Sequence, residues 1–252
     1  MVALTRAVSP ALGDCELTHL ARVPIDVDRA TAQHAAYERE LAAAGYRIAR
    51  VPAAPDLPDA VFVEDTAIVL PELAVVTRPG ALSRRPELDA VAAVLSELRP
   101  LAYVEAPGTL DGGDVLVIGR TVFVGDTARS NRDGAHQLER ILAPRGYAVQ
   151  RVPVDGCLHL KTAVTRVAEE TVLLNPEWVE PHRFDAYRAI HTDPLEPYAA
   201  NVLVAPDRVL VSAGHPRTGE RLARLGATVV PIDVSELEKA EGGLTCCSIL
   251  VD

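Results

Sequence analysis

Gly45-Tyr-Arg-Ile-Ala-Arg-Val-Pro52 and Gly146-Tyr-Ala-Val-Gln-Arg-Val-Pro153 are two copies of one pattern, and Gly226-Ala-Thr-Val-Val-Pro231 is a third. Each follows a stretch with a helical pattern. Glycine stands where it commonly ends a helix, a β-rich run follows, and proline ends the run. A looser fourth copy spans Leu98–Pro107. The pattern predicts a helix-and-strand unit that recurs along the chain.

Pairs of apolar runs lie between these copies and predict paired strands. The predicted pairs are Thr66–Leu70 with Ala74–Thr77, Asp114–Ile118 with Thr121–Val124, Thr162–Val167 with Thr171–Leu174, Asn201–Val204 with Arg208–Val211, and Cys246–Val251 with the N-terminal Ala3–Val8. Five units of roughly 40–50 residues favour an α/β fold in which the units close into a ring. An ordinary doubly wound α/β sheet is the alternative. No linker is evident, so residues 1–252 are expected to form a single domain.

Composition narrows the possible functions. Of the 252 residues 48% are apolar, which indicates a folded chain with a sizeable core. Only 4% are aromatic and the net charge is −10, which argues against nucleic acid as a partner and suits a small cation. No apolar run reaches the ~20 residues of a membrane span, and no signal peptide is apparent. Four cysteines are too few for a disulfide scaffold, so we expect free thiols in the cytoplasm.

The adjacent cysteines Cys246 and Cys247 follow Gly242-Gly243 at the start of the last apolar run. A buried cysteine is more often an inert apolar residue than a nucleophile. Two thiols at the start of a strand, after a pair of glycines, favour a nucleophilic role here. In a strand the two side chains would point to opposite faces, one toward a pocket and one toward the core. We take Cys247 as the candidate.

His159 is the candidate acid–base residue, because an imidazole between Leu158 and Leu160 needs a reason to be buried and can exchange a proton near neutral pH. Asp111 lies in Leu110-Asp-Gly-Gly-Asp114, which could equally be a simple turn. Its position at the start of a unit, like that of His159, favours a role in the site.

Carboxylates gather around another apolar run. Asp59, Glu64 and Asp65 lie in Leu57–Ile68, where a buried carboxylate needs a partner or a cationic ligand. Guanidinium is a good match, because its planar donors bind carboxylates in pairs. Arg84 and Arg129 are candidates for holding an anionic group, although exposed arginines are common. No phosphate-binding loop or zinc-type Cys/His spacing occurs, so we expect neither cofactor nor metal.

Five motifs in this order resemble the dimethylarginine dimethylaminohydrolases of the guanidine-modifying (pentein) superfamily. They are Leu57-Pro-Asp-Ala-Val-Phe-Val-Glu-Asp65, Thr77-Arg-Pro-Gly-Ala81 with Ser83-Arg-Arg85, Leu110-Asp-Gly-Gly-Asp-Val-Leu116, Leu158-His-Leu-Lys161 and Leu244-Thr-Cys-Cys-Ser248. The resemblance runs from about Leu4 to the C-terminus. It implies a five-bladed α/β propeller of ββαβ units with pseudo-fivefold symmetry, as monomer or homodimer.

The resemblance also implies roles for the residues. Cys247 would be the nucleophile, His159 the acid–base residue and Asp111 the supporting carboxylate. Asp59, Glu64 and Asp65 would contact the guanidinium and amino groups of the substrate, while Arg84 and Arg129 would hold its carboxylate. Leu17 would lie in the mobile lid of the family, where the match is weaker. The implied reaction is hydrolysis of Nω-methylated arginine to citrulline and a methylamine through an S-alkylthiouronium on cysteine.

Two alternatives remain open. Arginine deiminases share the fold and the Cys/His chemistry, but typically carry Asp two places after the histidine, where this chain has Lys161, and they contain an additional helical region. Some ring-fold proteins are ribosome-binding factors without catalysis. A binding protein has no need of the combined thiol, imidazole and carboxylates.

Overall fold

The computed structural model describes residues 1–252 and contains five separate sheets of three strands each. The strands are β1 Val2–Thr5, β2 Arg47–Arg50, β3 Ala67–Val69, β4 Ala74–Val76, β5 Leu101–Tyr103, β6 Val115–Ile118, β7 Thr121–Asp126, β8 Ala148–Pro153, β9 Val164–Ala168, β10 Thr171–Leu174, β11 Arg188–His191, β12 Leu203–Val204, β13 Val209–Ser212, β14 Val229–Ile232 and β15 Ile249–Val251. The helices are α1 Val27–Ala43, α2 Leu88–Ser96, α3 Arg132–Leu142, α4 Leu160–Ala163, α5 Pro216–Arg224 and α6 Ser235–Glu238.

Every sheet has the same topology. The middle strand pairs antiparallel with the strand before it and parallel with the strand after it, as in β6–β7–β8. The sheet β15–β1–β2 joins the two ends of the chain, with Val2 opposite Val251. The five predicted strand pairs are therefore present, and the α/β class is confirmed.

The repeated glycines end helical segments. Gly45 and Gly226 follow α1 and α5 with φ of 93° and 95°, and Gly146 follows a short 3₁₀ turn with φ of 79°. Side chains other than glycine rarely adopt this left-handed conformation. The N-termini of α1 and α3 are capped by Asp26 and Asn131, whose side chains accept backbone N–H bonds. The glycines predicted to end helical segments thus do so, whereas the two N-caps were not predicted.

Buried apolar side chains fill the space between helices and sheets. Leu138 and Leu142 of α3, for example, are fully buried in one cluster with Val122 and Val124 of β7. Truncating such a leucine to alanine typically costs about 2–5 kcal/mol. No helix has the length and apolar character needed to span a bilayer.

The first strand of every unit borders one shared cavity. Residues of β3, β6, β9, β12 and β15 all line it. The loops that precede these strands carry most of the residues identified from the sequence, namely Asp59, Glu64, Asp65, Asp111, His159 and the two adjacent cysteines. The fold therefore brings segments distant in sequence to one place.

Candidate active site

A small cavity lies beside these loops. Five of the predicted site residues line it, and they come from four separate stretches of the chain. They are Asp59, Asp65, Arg84, Arg129 and His159; the other lining residues are Glu16, Phe62, Leu158, Ala240, Glu241, Gly242 and Cys246.

His159 connects two carboxylates. Its Nε2 lies 3.0 Å from Oδ2 of Asp111, and its Nδ1 lies 3.8 Å from Oδ1 of Asp65. Burial favours the neutral imidazole, but the charge of Asp65 and the hydrogen bond to Asp111 outweigh it and raise the pKa of His159 to about 9. The residue stands at the N-cap of α4, not within a strand, so its orientation follows from the helix start and not from strand alternation.

Asp111 is held rigidly in place. Its Oδ1 accepts a hydrogen bond from Gly80 N at 2.9 Å, and its own N–H donates to Oγ of Ser130 at 3.1 Å. Because the carboxylate is fully buried and fixed on one side, its other oxygen presents a defined acceptor to His159. This position agrees with the supporting role implied by the resemblance.

Asp114 is a buried carboxylate that holds the backbone next to His159. It accepts hydrogen bonds from the hydroxyls of Thr127 and Ser130, both at 2.6 Å, and from Leu160 N at 3.0 Å. Burial raises the pKa of Asp114 to about 6, although His159 and the two hydroxyls oppose the rise. Its contact with Leu160 N ties the start of α4, and so His159, to the neighbouring unit.

Gly113 lies against the side chains of Asp65 and His159, with no room for a Cβ. A Cβ at this position would lie 2.7 Å from both Asp65 Oδ1 and His159 Nδ1. Gly113 N also donates to Asp65 Oδ1 at 2.9 Å. The Gly-Gly pair thus allows the backbone to pass between these two side chains.

Asp65 and Arg84 form a buried ion pair. Oδ2 of Asp65 accepts from Nη1 of Arg84, whose guanidinium also binds the carboxylate of Glu87 at 2.8 Å and the carbonyl of Phe62 at 2.8 Å. Burial would raise the pKa of Asp65, but His159 and Arg84 outweigh it and lower it to about 2. Arg84 lines the cavity, as predicted, but most of its donors bind the protein itself.

Asp59 and Glu64 have different positions. Asp59 lines the cavity and accepts from Glu16 N at 3.1 Å; burial raises its pKa, opposed by Arg84. Glu64 does not line this cavity. It borders the cavity shared by the five units, where its carboxylate accepts hydrogen bonds from Lys161 Nζ at 2.5 Å and Thr245 Oγ1 at 2.7 Å. Glu64 is thus already paired with a lysine, a pairing that was not predicted from the sequence.

Arg129 and Leu17 were both predicted to contact the substrate. Arg129 is 8% exposed, lines the cavity and makes one side-chain hydrogen bond, from Nη2 to Thr18 Oγ1 at 3.3 Å. Most of its donors therefore remain available to a ligand. Leu17 is half-buried against the apolar cluster that contains the two adjacent cysteines, and it does not line the cavity. Its neighbours Glu16 and Thr18 make the contacts near the site.

The thiol at the cavity belongs to Cys246, which corrects the placement expected for Cys247. Residues Thr245–Cys247 form a 3₁₀ turn ahead of β15, so strand alternation does not apply to them. Cys246 lines the cavity and its Sγ accepts from Gly243 N at 3.2 Å. Cys247 is 0% exposed and packs in the apolar cluster with Tyr37 and Leu41.

Electrostatics hold the Cys246 thiol in its protonated form. Burial, together with the charges of Glu64 and Asp65, raises its pKa to about 12. Removing the thiol proton therefore requires a positive charge close to the sulfur. A bound cation in the cavity would supply one.

Three site residues could also hold a metal ion. Ligand atoms of Asp65, Asp111 and His159 lie within 4.8 Å of one another. Hydrogen bonds from Arg84, Gly113 and Gly80 already engage the carboxylates. The set therefore suits proton transfer as it stands.

Three ionisable side chains at the cavity were not among the predicted site residues: Cys246, Glu16 and Glu241. For Cys246 the available signal was the pair of cysteines, which does not by itself favour one sulfur. Glu16 and Glu241 lie in loops without a motif. Their positions depend on contacts between distant parts of the chain, Glu16 N with Asp59 and the Glu241 carboxylate with the backbone of residues 18–20.

Comparison with known proteins identifies the family. No family model matches the chain. It is 42% identical to the N(G),N(G)-dimethylarginine dimethylaminohydrolase of Streptomyces coelicolor over 98% of this chain and 95% of the relative, and 37% identical to that of Pseudomonas aeruginosa over 89% of each. The crystal structure of a cysteine-to-serine mutant of the Pseudomonas enzyme with citrulline superposes with a TM-score of 0.94 at 35% identity, covering 98% and 97% of the two chains.

A second solved structure carries a covalent ligand. It is a histidine-to-glycine dimethylarginine dimethylaminohydrolase as an adduct with S-methyl-L-thiocitrulline, with a TM-score of 0.93 at 35% identity and 98% coverage of each chain. Fold and site together define a guanidine-modifying protein of the pentein superfamily. More narrowly, the chain belongs to the dimethylarginine dimethylaminohydrolase family.

Proposed function

We propose that this protein hydrolyses Nω-methylated arginine, both asymmetric dimethylarginine and monomethylarginine, to citrulline and dimethylamine or methylamine. The observation that carries the proposal is one cavity lined by the thiol of Cys246, the imidazole of His159 and the carboxylates of Asp59 and Asp65. The relatives named above, including the complex with citrulline, support the same reaction.

Carboxylates orient the substrate. Asp59 and Asp65 lie on the cavity wall, where they can bind the guanidinium and the amino group, and Arg129 has donors for the carboxylate. Holding a guanidinium carbon close to a nucleophile can contribute up to ~7–11 kcal/mol in favourable cases. The same cation also lowers the cost of ionising Cys246, whose pKa is about 12 without it.

Proton transfer follows from the charge state of His159. With a pKa of about 9, its imidazole is protonated at neutral pH and can act as an acid. Once the substrate cation is bound, the thiol of Cys246 releases its proton to solvent. The resulting thiolate attacks the central guanidinium carbon, and the C–N bond to the methylated nitrogen breaks as His159 protonates the departing amine. The neutral imidazole then takes a proton from water, hydroxide adds to the S-alkylthiouronium, and the C–S bond breaks to release citrulline. Asp111 orients the imidazole throughout.

For the architecture, we infer a five-bladed propeller with pseudo-fivefold symmetry that forms one catalytic domain over residues 1–252. The shared cavity bordered by the first strand of each unit supports this arrangement, and so does the pairing of β1 with both β15 and β2. All four cysteines are free and buried, which suits a cytoplasmic enzyme. The proposed site is built from one chain, so a monomer suffices.

A citrulline assay on the purified protein tests the proposal. Release of citrulline should be fastest, by kcat/KM, with asymmetric dimethylarginine or monomethylarginine. If arginine were turned over more efficiently than both, the deiminase alternative would hold. No citrulline from any of the three, with iodoacetamide labelling of Cys246 unaffected by arginine analogues, would favour a non-catalytic ring-fold protein.

A further inference from the structure

We propose that Glu241 is a positioning residue that fastens residues 16–22, here called the covering segment, over the active-site cavity. The proposal rests on the function proposed above. It concerns a residue that neither the motifs nor the expected catalytic set includes. Glu241 lines the cavity together with Cys246, Arg129 and Asp59. Its carboxylate is where the covering segment contacts the loop that carries the proposed nucleophile.

The fastening consists of three consecutive backbone donors. The N–H groups of Thr18, His19 and Leu20 all donate to the Glu241 carboxylate, with Thr18 N at 3.0 Å from Oε2 and both His19 N and Leu20 N at 2.5 Å from Oε1. Successive N–H groups that converge on one anion form a strong and specific contact. These amides have no competing strand or helix partner, because the segment has no regular secondary structure.

The backbone of Glu241 indicates that its side chain is needed. Glu241 has φ of 57° and is the only non-glycine residue with positive φ. It follows α6, where glycine would be the ordinary residue for a left-handed helix end. Strained conformations of this kind persist where the surroundings require them. Here the covering segment requires a carboxylate at position 241, which glycine cannot provide.

The contact links both halves of the site. On one side, the loop that starts at Glu241 continues to Gly243, whose N–H donates to Sγ of Cys246 at 3.2 Å. On the other side, Thr18 Oγ1 accepts from Arg129. With the carboxylate bound, the covering segment, the substrate-binding arginine and the thiol are joined through one residue. Without it, the segment loses its main attachment near the thiol.

Two substitutions separate the carboxylate from the backbone conformation. Glu241→Gly removes the carboxylate but accepts the positive φ, so it should leave the melting temperature unchanged or higher. Glu241→Gln keeps one acceptor oxygen and should have an intermediate effect. The matched control is Glu220→Gln, because Glu220 is exposed on α5 and pairs only with Arg224.

The primary measurement is amide hydrogen exchange in the ligand-free protein. In Glu241→Gly we expect the amides of Thr18, His19 and Leu20 to exchange at least 10-fold faster, and peptide-resolved alkylation of Cys246 by iodoacetamide to be several-fold faster. KM for dimethylarginine should rise more than kcat falls. Glu220→Gln should match the native protein in all three measurements.

Unchanged exchange at these three amides in Glu241→Gly would overturn the proposal. A uniform rise of exchange across the chain would overturn it too, since that outcome assigns Glu241 a general structural role. Should the glycine variant fail to fold, Glu241→Gln decides by the same criterion. Exchange and alkylation need no substrate, so the result stands apart from whether methylated arginine is turned over.

Discussion

Cys246 and Cys247 are neighbours, yet they use opposite groups of the same glycine. The N–H of Gly243 donates to Sγ of Cys246 at 3.2 Å, whereas Sγ of Cys247 donates to the Gly243 carbonyl at 3.5 Å. One sulfur therefore receives a hydrogen bond that stabilises a thiolate, and the other gives one that keeps it a thiol. Together with the cavity lining, this difference supports Cys246 as the proposed nucleophile.

We expect Cys246→Ser to lower citrulline formation at least 10³-fold, because a serine hydroxyl is a far weaker nucleophile without a strong base. Cys247→Ala should keep most of the activity and lose stability instead, since it leaves a space in a packed cluster. The measurement is kcat/KM for dimethylarginine together with the melting temperature of each variant. Full activity in Cys246→Ser, or loss of citrulline formation in a folded Cys247→Ala protein, would reverse the assignment.

Arg129→Ala should weaken binding of the amino-acid substrate selectively. A charged hydrogen bond contributes about 1.5–3 kcal/mol, which corresponds to roughly a 10- to 100-fold rise in KM. The decarboxylated analogue of dimethylarginine lacks the group that Arg129 would bind, so its KM should not change. Arg132→Ala, at an exposed position three residues away, is the control. An equal effect on both compounds would contradict this role.

Stability should depend on pH through His159. Its pKa of about 9 in the folded protein exceeds the ordinary 6.5, so the protonated imidazole stabilises the fold below pH 6.5. This stabilisation is lost as the pH rises from 6.5 through 9. Because one pKa unit corresponds to about 1.4 kcal/mol, the free energy of unfolding should fall by a few kcal/mol over that range.

Chemical denaturation at a series of pH values measures this dependence. His159→Gln should flatten the decline between pH 6.5 and 9, whereas His136→Gln, on the exposed surface of α3, should not. Identical slopes for the native protein and His159→Gln would rule out the raised pKa.

His159→Gly should trap the covalent intermediate. S-methyl-thiocitrulline carries a thiol leaving group that departs without an acid, so attack by Cys246 can proceed, while hydrolysis lacks its base. Mass spectrometry of the digested protein should find the adduct on the peptide that contains Cys246. The double variant His159→Gly/Cys246→Ser should carry none. An adduct on another cysteine would contradict the mechanism.

The strand pairs were predictable because their signals are local. Glycine at positions 45, 146 and 226 ends a helical segment with positive φ, and an alternating or apolar run between turns is enough to predict a hairpin. The parallel partners of three hairpins were also indicated, since the runs after these glycines became β2, β8 and β14, and the looser copy at Leu98–Pro107 contains β5; β11 was not predicted. Repetition along the chain reinforced each assignment.

The details of the site were less predictable because they depend on short irregular turns. Cys246 was expected at the start of a strand but lies in a 3₁₀ turn, and His159 lies directly before the short helix α4. A change of one residue in such a turn redirects the side chain. Likewise, the pairing of Glu64 with Lys161 spans two units and leaves no mark in either local sequence.

Gly113 limits how the protein can be engineered. Exchange of a loop glycine for alanine commonly adds about 0.4–1 kcal/mol of stability by restricting the unfolded chain. At this position the added methyl would collide with both the imidazole of His159 and the carboxylate of Asp65. Replacing Gly113 to raise thermal stability would thus push the imidazole of His159 away from the carboxylate of Asp65. Gly119, in an exposed turn, has open space around it, but its φ of 59° would strain any other residue placed there.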